Sequence, residues 1–200
     1  MFRCSKAFVL PAVVAFAAAA FSLSSLAENA ANGTAVGQPA PAFTLQDQNG
    51  KSVSLGDYKG KIVVLEWINK DCPFVQRHLK AKTIEALAAK YKSNDVAFLA
   101  IDSTSTHNTA DRQKTSTENG TTVLDDSQGK VGKEYGAKTT PHMFVINKDG
   151  VLAYKGAIDN DPDGNKADRV NYVAKAVDEL LAAKSVSTSE TKSYGCGVKY

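Results

Sequence analysis

Cys72 is followed directly by Pro73, and the pair stands where an apolar, β-branched run, Lys61 to Trp67, gives way to a segment of helical spacing. Proline is favoured at the first helical position, where its missing N–H costs nothing, and this puts Cys72 at the N-cap. Unpaired backbone N–H groups and the positive end of the helix dipole favour a thiolate there, lowering the thiol pKa. A thiolate is the species that attacks disulfides and peroxides. Neighbouring Lys70 would add to this field and Asp71 would oppose it, depending on which of them faces the sulfur. The plainer alternative is a buried, inert cysteine.

Other residues with chemical potential are fewer. The chain has 3 cysteines and 3 histidines. Cys4 lies in the basic head of the chain, which leaves Cys72 and Cys196 after removal of that segment. A soft-metal site would need a histidine beside Cys72, and His142, next to Pro141, is the best placed. His78 reads as a solvated helical residue and His107 as part of a polar loop. Asp159-Asn-Asp-Pro-Asp163 lacks the spacing and closing Glu of an EF-hand, so it reads as a solvated loop. Propensity alone makes Pro141 an ordinary proline before a strand, with a cis Thr140–Pro141 bond as the other option.

The elements that must hold Cys72 follow from periodicity. Phe43 to Asp47 and Ser52 to Leu55 alternate apolar and polar around Asn49-Gly50, which predicts a β-hairpin. Lys61 to Trp67 is too continuously apolar for an exposed strand and predicts a central strand of a parallel sheet. Phe74, Leu79, Ile84, Leu87, Ala88 and Tyr91 approximate helical spacing directly after Cys72. Asp95 to Ile101 is a second buried strand, 110–118 a polar helix, 121–124 a short strand and 128–135 a short helix closed by Gly136. Strands 142–146 and 151–154 flank Asn147 to Gly150 as a second hairpin, and 170–183 is an amphipathic helix. Strands alternating with helices imply an α/β sheet with a parallel centre.

Arg3 and Lys6, an apolar run from Ala7 to Phe21, and Ser25-Leu26-Ala27 form the three regions of a secretory signal peptide over 1–27. The apolar run is shorter than the ~20 residues a spanning helix needs. Residues 28–36 read as a disordered leader, 37–184 as one domain, and Ser/Thr-rich 185–200 as a flexible tail carrying Cys196. The formal charge is +3, from 24 basic and 21 acidic residues, and loss of Arg3 and Lys6 leaves it nearly balanced. No basic stripe points to nucleic acid or an anionic membrane as partner. An exported protein of this kind is periplasmic or secreted.

Val63 to Val75, with Cys-Pro-Phe-Val at its end, Thr139 to Gly150, and Gly195-Cys-Gly-Val-Lys-Tyr200 together resemble the peroxiredoxin-like branch of the redoxin family. That branch is the alkyl hydroperoxide reductase/thiol-specific antioxidant group of the thioredoxin superfamily. The resemblance runs from about Gly37 to Tyr200. It implies a thioredoxin-like α/β fold, a central mixed sheet flanked by helices with an N-terminal β-hairpin. Cys72 then matches the nucleophilic cysteine, Pro141 a cis-proline facing it, and Cys196 a resolving partner.

This chain departs from the family pattern at several positions. Val75 replaces the second cysteine of a C-x-x-C, Leu65 and Asn69 hold the peroxiredoxin Pro and Thr positions, and no arginine stands near Pro141. The implied activity is that of a thiol-disulfide oxidoreductase or peroxiredoxin-like antioxidant protein, without a cofactor. Its substrate would be a peroxide or disulfide and its reductant a thiol or disulfide protein partner. A tail of about 12 flexible residues spans on the order of 20 Å and brings Cys196 to Cys72 at millimolar effective concentration. Resolution between two chains of a homodimer is the other route. Two further readings are a copper or soft-metal handling module and a purely structural 72–196 disulfide.

Overall fold

The computed structural model describes Met1 and residues 33–200. The expected signal peptide and most of the expected leader lie outside the described residues.

A seven-stranded sheet runs in the order β2-β1-β5-β4-β3-β7-β8. Its strands are β1 (Thr44–Asp47), β2 (Ser52–Ser54), β3 (Ile62–Trp67), β4 (Val96–Asp102), β5 (Thr122–Asp125), β7 (His142–Ile146) and β8 (Leu152–Gly156). β6 (Thr139–Thr140) and β9 (Cys196–Gly197) form a separate two-stranded ladder. The helices are α1 (Pro73–Lys80), α2 (Thr83–Lys90), α3 (Thr109–Asn119), α4 (Lys130–Tyr135) and α5 (Tyr172–Leu181).

β3 is the centre, parallel to β4 on one side and antiparallel to β7 on the other. All six of its residues are buried, which explains the unbroken apolar run. Val63, Leu65 and Trp67 face one core with Phe144, Ile146, Val131 and Tyr135. Ile62 and Val64 face the other with Ile84, Tyr91, Met143, Val145, Val173 and Val177. Helices therefore cover both sides, and this mixed sheet with its N-terminal hairpin β1–β2 is the thioredoxin-like arrangement expected.

Two sequence expectations change. The helical stretch after Cys72 is two helices, broken at Lys82, whose φ is 51°. The five-residue steps from Phe74 to Leu79 to Ile84 would carry the apolar stripe around a straight helix, and the break resets it toward the sheet. The expected flexible tail is instead laid along the domain. Lys155 N–H donates to the Ser189 carbonyl and Thr191 N–H to the Lys155 carbonyl, both at 3.1 Å. Val198 N–H donates to the Lys138 carbonyl and Ser105 N–H to the Lys199 carbonyl, both at 3.3 Å. Composition gave no sign of these contacts, because they are made by backbone groups that every sequence carries.

Candidate active site

Cys72 is the N-cap of α1 with Pro73 at the first helical position. The loop from β3 is shaped by Asn69, whose carbonyl accepts from Cys72 N–H (3.1 Å) and whose side-chain Oδ1 accepts from Asp71 N–H (2.8 Å). Asn69 is thus occupied in building the turn. The thiol is 2% exposed and packs with Ile68, Val75, Leu79, Ala100 and Val123.

Across from it, the Thr140–Pro141 bond is cis. In the neutral form Cys72 Sγ donates to the Thr140 carbonyl at 2.9 Å. β6 and β9 pair antiparallel in a register that sets Cys196 opposite Thr140 and Gly197 opposite Thr139. The structure therefore brings Cys72, Pro141 and Cys196 together, with both thiols free.

Burial is the largest single influence on the Cys72 thiol and opposes ionisation. The Cys196 thiol, the Val75 and Cys196 N–H groups and the Thr140 side chain outweigh it, and hold the Cys72 pKa below its ordinary value. Cys72 makes no cap hydrogen bond of regular geometry to α1, so the Val75 N–H acts mainly through its field. Cys196 moves the opposite way, to about 11, first because it donates to Cys72 and then because of burial. The two thiols are unequal, and Cys72 is the one that ionises more readily.

The charged neighbours Lys70 and Asp71 are spent on each other (2.9 Å), and Asp71 also meets His107 Nε2 (3.0 Å). Among the described residues the three arginines are engaged away from Cys72. Arg77 donates to Tyr194 Oη (3.2 Å), Arg112 pairs with Asp102 and Asp125, and Arg169 pairs with Asp161.

His142 is not gathered to the thiols. Its Nδ1 accepts from Lys138 N–H (3.2 Å), its ring packs on Phe144, and burial holds it neutral with a pKa of about 4. No group of three or more His, Cys, Asp or Glu among the described residues is arranged to hold a metal ion.

Sequence reasoning missed two features. Glu66 is buried within β3, six residues before Cys72, and accepts from Asn119 Nδ2 at 2.8 Å. Burial raises its pKa to about 7, against the weaker opposing effect of Asn119. A lone carboxylate in the run Ile62 to Trp67 was the available signal. The other feature is the anchor of the tail. Tyr194 Oη donates to Asp159 Oδ1 (2.6 Å) and lies 3.0 Å from His78 Nε2. His78 is buried, not solvated, because it shares the inner face of α1 with Val75 and Leu79. Nothing in the local sequence links 78, 159 and 194.

A model of the AhpC/TSA family matches residues 36–155, which include Cys72 and Pro141 and stop short of Cys196. The chain is 30% identical over 115 residues to the thiol-disulfide oxidoreductase ResA of Bacillus thuringiensis subsp. konkukian (strain 97-27), spanning 58% of this chain and 65% of that protein. It is 32% identical over 132 residues to the chloroplastic peroxiredoxin Q of Suaeda salsa, spanning 58% of this chain and 56% of that one. Both matches span less than two thirds of the relative's own length. A solved structure, a hypothetical protein from Sinorhizobium meliloti 1021, aligns with a TM-score of 0.75 and 27% identity, covering 84% of this chain and 96% of that chain.

Proposed function

The chain belongs to the AhpC/TSA family, and from that premise we propose that it is an exported thiol oxidoreductase with Cys72 as nucleophile and Cys196 as resolving thiol. The observation that supports this reading is the β6–β9 register, with Cys196 opposite Thr140, whose carbonyl lies 2.9 Å from Cys72 Sγ, and Cys196 packed against the cluster that holds Cys72.

With a disulfide RS–SR′, the Cys72 thiolate forms a new S–S bond and expels one thiolate. Cys196, once deprotonated, attacks Cys72 Sγ, closes the 72–196 disulfide and releases the second thiol. With a peroxide, Cys72 takes one oxygen as a sulfenic acid while the O–O bond breaks and the other oxygen, once protonated, leaves as water or an alcohol. Cys196 then closes the same disulfide and water leaves. An external dithiol or thiol protein returns the pair to two thiols. Pro141 would act by position, since it follows Thr140, whose carbonyl lies 2.9 Å from Cys72 Sγ.

Export rests on the basic, apolar and small-residue pattern of residues 1–27. No helix among the described residues is long and apolar enough to cross a membrane.

Dithiothreitol-driven consumption of hydrogen peroxide and of oxidised glutathione tests the scheme. Turnover with at least one oxidant is expected, lost in Cys72→Ser and slowed in Cys196→Ser, where dithiothreitol itself must resolve the Cys72 sulfenic acid or mixed disulfide. Undiminished turnover in Cys72→Ser would overturn it.

A further inference from the structure

The strand that carries Cys196 also covers Cys72. Cys72 is 2% exposed, and Cys196, in β9, packs against the buried cluster that holds it. The edge of β6 beside it, which would otherwise offer its backbone groups to an extended chain, is already paired with β9.

The contact is close because Gly195 permits it. Its φ is 127°, and a Cβ there would collide with the Thr140 carbonyl. The strap is fastened on both sides of this point. Upstream, Tyr194 reaches Asp159, His78 and Arg77. Downstream, the Tyr200 ring sits against Gly129 and Gly132, where a Cβ on Gly132 would meet ring carbon Cε1 at 2.6 Å. Its hydroxyl donates to the Ala137 carbonyl at 2.8 Å.

Attack on a disulfide requires the incoming sulfur to line up with the bond it breaks. A disulfide within a folded protein brings main chain on both sides of that bond, and here the space beside β6 is held by the strap.

We propose that residues 194–200 are a specificity-determining strap over Cys72 that discriminates against a disulfide embedded in a protein relative to a small O–O or S–S compound. This rests on the reading of Cys72 as a reactive thiol. Only molecules with the strap displaced would react with the larger substrate, so its apparent rate is scaled by the displaced fraction.

The test uses Cys196→Ser, in which the strap remains and the resolving thiol is gone. Cys72 modification is followed by peptide mass after single-turnover exposure to hydrogen peroxide, oxidised glutathione and insulin, whose disulfides lie within a folded protein. The same measurement is made with Gly195→Ala added to loosen the strap, and independently with Tyr200→Ala. Expected is modification by a small oxidant in all three proteins, with the insulin rate, taken relative to the small-oxidant rate of the same protein, higher in the loosened proteins by about tenfold or more. Insulin reacting equally fast with the strap intact and loosened would overturn the gate and leave the reactive thiol standing. No reaction of Cys72 with any of the three would overturn both.

Discussion

At the scale of single residues, the asymmetry between the two thiols makes the sharpest prediction. Cys72 lies below its ordinary pKa partly because the Cys196 thiol donates to it, and Cys196 is pushed to about 11 by the same contact. The rate of iodoacetamide alkylation of Cys72 against pH should have its midpoint below the usual ~8.5 of a free cysteine. In Cys196→Ala the midpoint should move upward, and an unmoved midpoint would show that the contact does not act on ionisation. Glu66 makes a second one. Between pH 4.5 and about 7 the folded protein holds a proton the unfolded chain has released, so stability falls as pH rises through that window. The loss is up to about 3 kcal/mol for a shift of this size. His78 and His142, both lowered to about 4, give the opposite slope, with stability falling as pH drops from 6.5 toward 4. Urea unfolding of Glu66→Gln at pH 5 and pH 8 isolates the first effect, since the histidine contribution is common to both proteins. The stability difference between the two pH values should shift by that amount in favour of pH 8.

At the scale of elements, the strand-to-helix junction at Cys72 was legible because each of its parts has a local sequence cause. A continuous apolar run makes β3, and proline at the first helical position fixes the N-cap. The break at Lys82 was not legible from residue type, since lysine does not favour a positive φ. It showed only as a drift in apolar spacing. The strap was illegible for a different reason. Its contacts join residues far apart in sequence, through backbone carbonyls and through tyrosines that look like any others. Tyr194→Phe keeps the ring but removes the hydroxyl that reaches Asp159 and His78. It should cost about 1–3 kcal/mol, since buried Asp159 loses its Tyr194 donor while keeping the Asp161 N–H and a longer contact to Arg169. Under the proposed function, it should also lower the equilibrium constant for closing the 72–196 disulfide against dithiothreitol, by about tenfold if the loss is near 1.4 kcal/mol. A Phe variant with an unchanged closing equilibrium would separate the anchor from the placement of Cys196.

At the scale of the whole molecule, the chain closes on itself. A disulfide between positions 72 and 196 would tie the far end of the chain to its central strand–helix junction, across a loop of 124 residues. Loop-closure entropy for a ring of that size is worth up to about 5 kcal/mol, reduced by any strain in the bond. The oxidised protein should therefore resist denaturant more than the reduced one, by about 2–5 kcal/mol. A pair that works in turnover must still yield to mild dithiol, whereas a permanent staple would not. The family match runs over residues 36–155, which hold β1 to β7, nearly all of β8 and Cys72, and it ends before Cys196.

Peptide mapping of the non-reduced protein after treatment with one equivalent of oxidant tests the pairing of the two cysteines most directly. The account predicts a Cys72–Cys196 linkage within one chain, formed in proportion to the oxidant and removed by mild dithiol. Cys72 recovered as sulfinic acid or as an intermolecular dimer, with Cys196 still a free thiol, would contradict it.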